Sequence, residues 1–416
     1  MTSLHRSPPR FAAACAWAAF AVLIAGPAWA DPAPAFETLL DRIGFTPSAA
    51  EADAVVDAAE ARVRQAAVRP NPTLGLEAEN AFGSGLFSGY ANAEMTLSFS
   101  QDLELWGRRS ARVGAARADA GTAALRRDQA TVEAVARLAV AYAEAEAAER
   151  RAELAAEALS VIVADTRAAL ILVDEGREPL LRGIQGESEA AAARASLDEA
   201  QAERDAAFAR LAAIAMLTTP VTSIETSLID RAPAIADSES GSPQVQVAEA
   251  ERSAAETRIA LERVRATPAV TASVGVRRFE AEDATALTFG LSLPLPLFDR
   301  NRGNIEAAQA DFRAADARLV RARQDAEADR NAARARLRAS TSRVSAADAG
   351  VTAGEEAYRL SRIGFEAGRI SQLELRSSRT ALITARNAAV DARLARARAE
   401  IELARLQGRA PFGTAQ

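Results

Sequence analysis

The 416-residue chain carries 50 basic side chains, every one an Arg, against 56 Asp and Glu, with a single His and a single Cys. Without Lys there is neither a Schiff-base amine nor a phosphate-binding P-loop, and the formal charge of −6 argues against nucleic acid as a partner. Hydrophobic residues reach 49% but aromatics only 5%, so Ala carries much of the apolar fraction, a composition suited to closely packed helices.

Residues 1–30 read as a signal peptide. His5, Arg6 and Arg10 form a basic start, Phe11 to Ile24 is apolar, and Ala28-Trp29-Ala30 offers a cleavage site before Asp31. The apolar run is too short to span a bilayer as a helix. Cys15 lies inside that run with almost no hydrophobic stretch before it, which matches a lipid-anchored precursor poorly. Cleavage removes the sole Cys and the sole His and, with Arg6 and Arg10, takes the charge to −8. Thiol and imidazole nucleophiles, His general bases and zinc sites on N/S ligands are thereby excluded. No catalytic pair, cofactor site or metal-ligand set is expected, and the chain is not read as an enzyme.

Residues 31–48, with Pro32, Pro34, Gly44 and Pro47, read as an irregular lead-in. A first unit covers 49–220. Ala49 to Val68 has helical spacing and stops before Pro70 and Pro72. The period then becomes two: Leu74, Leu76 and Ala78 alternate with polar residues or Gly, as do Met95, Leu97 and Phe99, around the turn-rich Ala81–Tyr90. From Arg108 to about Val173 there is no Pro. Leu125, Val132, Val135, Ala139 and Tyr142 keep the spacing of a packed helix seam. Gly176-Arg177 marks a turn, and a second helix runs over about Leu180–Met216.

After a linker at 221–242, a second unit at 243–408 repeats this order, leaving a tail at 409–416. Val270, Ala272, Val274 and Val276 alternate, and so do Leu287, Phe289, Leu291, Leu293 and Leu295. Asn304 to about Arg362 and Gln372–Gln407 read as helices, with Ile305, Ala308, Phe312, Ala315 and Leu319 on one seam and Val390, Leu394, Ala397, Ile401 and Ala404 on the other. Gln101–Arg108 aligns with Leu293–Arg300, and Gly176-Arg177 with Gly368-Arg369, both at an offset of 192 residues. An offset this long indicates a duplicated unit, not a solenoid period.

At 1.5 Å per residue the long helices reach roughly 100 Å and the medium ones roughly 55 Å. The expected shape is a rod with a small β cap, each short helix stacked end to end on a medium one. Strands at 72–80, 92–103, 268–279 and 285–297 have the length of tilted transmembrane strands; the alternative is a soluble hairpin with one wet face. Four strands cannot close a barrel, and open edges in lipid leave backbone groups unpaired. Three copies supply twelve strands and a water-filled lumen; four copies also satisfy the count.

Asn71-Pro72-Thr73-Leu74, Glu77-Ala78-Glu79-Asn80, Gln101-Asp102-Leu103-Glu104-Leu105-Trp106-Gly107-Arg108-Arg109 and Leu293-Pro294-Leu295-Pro296-Leu297-Phe298-Asp299-Arg300-Asn301-Arg302-Gly303 resemble the heavy-metal (cobalt–zinc–cadmium) branch of the TolC-type outer-membrane efflux channels. The resemblance covers essentially the whole mature chain. It implies a mainly α fold with a small β part: a long coiled-coil barrel plus four transmembrane strands per chain, closed as a twelve-stranded barrel in a homotrimer. It also implies outer-membrane lipid around the strands, a periplasmic adaptor (membrane fusion) protein, and an inner-membrane pump of the RND type. The turns at Gly176, Arg177, Gly368 and Arg369 then form the periplasmic mouth that docks the adaptor; the alternative is a simple helix cap. The aromatic residue that often precedes the tip Gly is Phe365 in the second copy, but Val173 in the first.

A pore-narrowing acid of the family falls on Glu374, whose alternative is a solvated helix-surface carboxylate; a second such position is Ser377. Trp106, Gly107 and Arg108, with Phe298 and Arg300, are expected at the strand–helix junctions, as a membrane-interface belt or as corner packing. Glu146, Glu149 and Arg150 are expected on solvated or interhelical faces. The function implied is a passive, gated conduit from periplasm to exterior for divalent heavy-metal cations. The alternatives are a drug or solvent channel of the same family and a soluble periplasmic scaffold.

Overall fold

The computed structural model describes residues 32–232 and 241–412. The expected signal peptide, part of the linker and the end of the tail lie outside the described residues. Seven helices and one four-stranded sheet are present among the described residues. Helix α1 covers Phe36–Arg42, α2 Pro47–Ala67, α3 Arg108–Asp174, α4 Leu180–Ile214, α5 Pro243–Arg265, α6 Arg302–Glu366 and α7 Gln372–Leu406. Strands are β1 Thr73–Glu79, β2 Glu94–Leu103, β3 Val270–Phe279 and β4 Ala284–Ser292.

The helices start and stop where backbone chemistry dictates. Thr46 caps α2 by accepting from the Ala49 amide at 3.4 Å, and Pro47 takes the first helical position, where its missing N–H costs nothing. Helices α3 and α6, of 67 and 65 residues, are each about 100 Å long. Along its sheet-proximal half α3 packs against α2 and α5; along its far half it packs against α4 and α7. Helix α6 runs beside α5 and then α7. Gly408 turns the chain at φ +67 with its Cα side against Pro243, so α7 ends where α5 begins and the two stack end to end.

The seams are dominated by small residues. Ala136, Ala139, Ala143 and Ala147 of α3 are buried at helical spacing, and so are Val390, Leu394, Ala397 and Ile401 of α7. Ala at these positions lets neighbouring backbones approach closely. The lead-in expected to be irregular is instead ordered at its centre. Helix α1 buries Phe36 and Leu39 against Tyr142, Leu211, Leu228 and Ile229, with the Phe36 ring edge-on to Tyr142 and Phe412. The three prolines and the glycine of the lead-in mask an amphipathic turn, whose packed face is only Phe36 and Leu39 with Leu40 beside them.

The sheet is antiparallel in the order β1-β2-β3-β4, with both hairpins joined through β2 and β3. It packs substantially against none of the helices. Strand β4 stops at Ser292, short of the expected 297, because Pro294 and Pro296 have no N–H to give to a ladder.

Candidate functional site

The strand register sorts the sheet's side chains into two chemically opposite faces. Leu74, Phe99, Val274 and Phe289 form one cross-strand row, and Leu76, Leu97, Val276 and Leu287 the next. This apolar face is bare: Phe289 is 79% exposed and Leu76 68%. With ten, ten and nine residues, β2, β3 and β4 have the length of a tilted transmembrane strand, about 9–11 residues, and β1 adds seven. A soluble hairpin would bury that face against helices, and here no helix covers it.

The other face carries Gly75, Ser98, Gly275 and Thr288 in one row and Glu77, Thr96, Arg277 and Ala286 in another. Arg277 donates to Thr96 Oγ1 at 2.9 Å and pairs with Glu79 and Glu94, each at 3.0 Å. Its positive charge is thereby matched by carboxylates within the face. A Cβ on Gly275 would lie 2.8 Å from the Leu97 carbonyl oxygen and from Thr288 Oγ1. β1 and β4 are the sheet's edges, so each keeps one side of its backbone unpaired.

The strand–helix junctions explain the Trp-Gly-Arg-Arg motif. Trp106 and Gly107 both sit in the left-handed region, at φ 54 and 74, and turn the chain from β2 into α3. Arg108 donates to the Thr267 carbonyl beyond α5 at 3.2 Å. Arg109 and Arg112 donate to Ala67, Ala66 and Val68, the carbonyls left open at the end of α2. These arginines hold the ends of α2 and α5 to the start of α3.

In the second copy the junction is shifted. Helix α6 starts at Arg302, and Asn301 at φ 56 takes the left-handed position and donates to the Glu262 carbonyl at 2.8 Å. Arg300 reaches only the Pro296 carbonyl, and Phe298 is 98% exposed. Asn301 was visible in the sequence as the residue type that best tolerates this conformation after Gly.

At the far end, two turns have matching hydrogen bonds. The Gly176 amide donates to Val173 and that of Arg177 to Leu172; the Gly368 amide donates to Phe365 and that of Arg369 to Gly364. Each is a Schellman cap around a glycine at φ +71 or +67. Arg177 is exposed, with Glu175 at 3.4 Å. The tips touch through Arg182, which bonds both Glu178 and the Gln372 side chain. Next to them Arg379 is buried and bonds Asp165 of α3 and Glu189 of α4.

Glu374 is engaged in a capping box. Its carboxylate accepts from the Ser371 amide at 2.7 Å, and the Ser371 hydroxyl accepts from the Glu374 amide at 3.3 Å. The Ser371 amide, then its hydroxyl, holds this carboxyl below its usual range. The Ser371-Gln372-Leu373-Glu374 sequence carries the signature of such a box.

In one charged cluster, expected on solvated or interhelical faces, Glu146 instead binds the segment after α4. Glu146 is 3% exposed and accepts from the Leu228 and Ile229 amides at 2.8 and 3.0 Å, from Ser227 Oγ at 2.6 Å and from Arg150 at 2.7 Å. It pins the segment after α4 onto α3. Arg150 also pairs with Asp230 at 2.5 Å and holds its carboxyl below the ordinary range. Tyr142 donates to the Thr226 carbonyl at 3.0 Å; burial, then the Glu146 charge, pushes its phenol up to about 12.

Two facts bear on other chemistries. No helix among the described residues is long and apolar enough to cross a membrane. No group of three or more His, Cys, Asp or Glu among them is arranged to hold a metal ion.

Comparison with known proteins agrees with this architecture. The family model described as outer membrane efflux protein matches residues 46–215 and 234–409. The nickel-cobalt-cadmium resistance protein NccC of Alcaligenes xylosoxydans xylosoxydans is 37% identical over 325 residues, covering 77% of this chain and 74% of that protein. The nickel and cobalt resistance protein CnrC of Cupriavidus metallidurans is 38% identical over 329 residues, covering 78% of each chain. The crystal structure of CusC superposes with a TM-score of 0.76 over 90% of this chain and 92% of that one, at 19% identity, which speaks to the fold. The chain therefore belongs to the outer membrane efflux protein family, whose members are channel proteins rather than enzymes, and it is an efflux channel of the outer membrane with a long helical part in the periplasm.

Proposed function

We propose that this chain is one of three identical copies forming a gated, passive conduit for divalent heavy-metal cations. The observation that carries the reading is the bare apolar face of a sheet with two open edges. Exposed leucines and phenylalanines are stable in lipid, whereas unpaired edge backbone there costs several kcal/mol per group. Edge-to-edge pairing of three sheets gives twelve strands, with the Arg277 face turned to the lumen and Phe298 and Trp106 at the lipid interface. The matching Schellman turns, 192 residues apart, and the paired helices of 35 residues support an internally duplicated unit.

The far tips, about 100 Å from the sheet, are the docking mouth for a periplasmic adaptor protein, itself joined to an inner-membrane pump of the RND type. Gly176, Arg177, Gly368 and Arg369 form that surface. Glu374, seated on a helix N-terminus, lines the constriction while capping α7. The resistance proteins NccC and CnrC, named for nickel, cobalt and cadmium, support the cargo class. With neither His nor Cys after residue 30, this chain offers such ions only carboxylates, so selectivity belongs to the pump and adaptor.

The test is membrane fractionation with unheated gel migration, joined to deletion of the coding region. An outer-membrane oligomer of three chains that collapses on boiling, with sensitivity to nickel, cobalt or cadmium on deletion, fits the reading. A soluble periplasmic monomer sinks it. Sensitivity to drugs or solvents without metal sensitivity keeps the channel and replaces its cargo.

A further inference from the structure

The mouth and the sheet do not account for the charge halfway along the helices. Between α6 and α7 lies a groove of about 490 Å³, floored by Ala333, Ala339, Ser340, Ala395 and Ala399 and rimmed by Arg336, Arg343 and Arg398. The small floor residues leave the space open. Arg336 and Arg343 stand two helical turns apart, about 10 Å along the axis, on one face of α6. Both are exposed; Arg343 has no hydrogen bond or ion pair among the described residues, while Arg336 lies within charge reach of Glu402 without a hydrogen bond to it. Arg398 faces them from α7 and pairs with Glu144 at 2.6 Å. The carboxylate at the groove, Glu402, is held by Arg405 through two bonds of 2.9 and 2.8 Å. Beside it, Arg137 and Arg210 join Glu133 and Glu144 around the adjoining groove. In an acidic chain, this wall keeps Arg343 without a carboxylate partner and sets Arg336 against a Glu402 already held by Arg405.

The groove's position follows from α7. Arg393 pairs with Asp230, and Arg396 donates to the Ile229 and Arg231 carbonyls, so that side of α7 carries the segment after α4. Arg398 and Glu402 lie about half a turn round the helix, on the opposite side. On the tubular reading given above, the segment and α1 lie on the outside of the tube, which turns the groove on the opposite side of α7 to the lumen.

We propose that Arg336, Arg343 and Arg398 form a binding site for small oxyanions on the inner wall of the channel. This rests on the tubular reading given above. Guanidinium groups in a fixed fork bind carboxylate, phosphate and sulfate groups through charge-assisted bonds. Such a belt keeps counter-ions within the conduit, so that divalent cations pass a wall that does not hold them. It separates a passive tube from a cation trap: carboxylates at the mouth draw the ion in, and the basic wall beyond lets it go.

The test uses the purified full chain in phospholipid-free detergent, with inorganic phosphate as the probe. Phosphorus NMR line width is followed during a phosphate titration of the wild-type chain, of the Arg336→Gln/Arg343→Gln double variant and of the Arg336→Lys/Arg343→Lys double variant. Saturable broadening by the wild type, weakened about tenfold or more in the Gln variant and largely retained with Lys, is the expected result. Both positions are exposed, so unheated gel migration of the variants should match the wild type. Equal broadening by wild type and Gln variant overturns the site while leaving the channel standing. A monomer in every preparation overturns the channel reading itself.

Discussion

Replacing Glu146 by Ala tests how the middle of the molecule is held. The carboxylate accepts four hydrogen bonds from one buried position, two of them from the Leu228 and Ile229 amides. Truncation leaves both amides without a partner away from water and removes one of the two acids that hold Arg150. Breaking a buried, charge-assisted set of this kind costs about 3–5 kcal/mol. The loss should fall on the segment that Glu146 holds rather than on the long helices, whose packing it does not touch. Arg231 supplies a built-in reporter, because its side chain pairs with Glu37 at 2.6 Å and its carbonyl accepts from Arg396. Limited trypsin digestion should cut the variant after Arg231 at least a hundredfold faster than the wild type, the factor about 3 kcal/mol implies. Far-ultraviolet circular dichroism should stay unchanged. Cleavage at the wild-type rate would refute the reasoning, since the segment would then be held by apolar contacts alone. Glu146→Gln should fall between the two, because its amide oxygen replaces only part of the acceptor capacity.

Acid should release the same segment. The Asp230 carboxyl is depressed by Arg150, so its contribution is present above the unfolded-state value near 3.8 and is lost as pH falls through the lower folded value. Amide protection factors at 226–231, with the intrinsic pH dependence of exchange divided out, should therefore be constant from neutral pH to about 4 and fall below it; a fall already at pH 6 would contradict the pairing. At the tips, Gly176→Ala and Gly368→Ala place a Cβ at positive φ with no neighbour within 4 Å, so each should cost only backbone strain, about 1 kcal/mol, and Asn should recover part of it. Exchange at the adjoining helix ends reads this out. On the sheet, Phe289→Arg should lower outer-membrane trimer yield steeply, at about 2–4 kcal/mol for a charge at mid-bilayer, whereas Thr288→Asn on the other face should not. Equal yields would mean that the apolar face does not meet lipid.

Much of this architecture was legible along the chain because its signals are local. Alternation at Leu74–Ala78 and Met95–Phe99, and long stretches free of Pro, mark strands and helices through neighbours only two to four residues away. Glycine at 176 and 368 marks left-handed caps for the same reason. Prediction failed where a local rule was passed over: Pro294 and Pro296 end β4 at Ser292. The lead-in was misread because three apolar residues in seven are too few to stand out amid prolines.

Other features depend on pairings that sequence spacing does not reveal. Glu146 looks like any helix-surface acid until a segment some 80 residues later folds its amides onto it. Arg277 is a cation in a strand until the register sets it between Glu79 and Glu94. Arg336 and Arg343 become a groove only once α7 lies alongside. The sequence by itself determined the elements, their lengths and the two faces of each strand, because dihedral preferences and side-chain period act over a few residues. Only the tertiary structure decided which charges are buried, matched or left open, because that depends on which distant groups share a low-dielectric space.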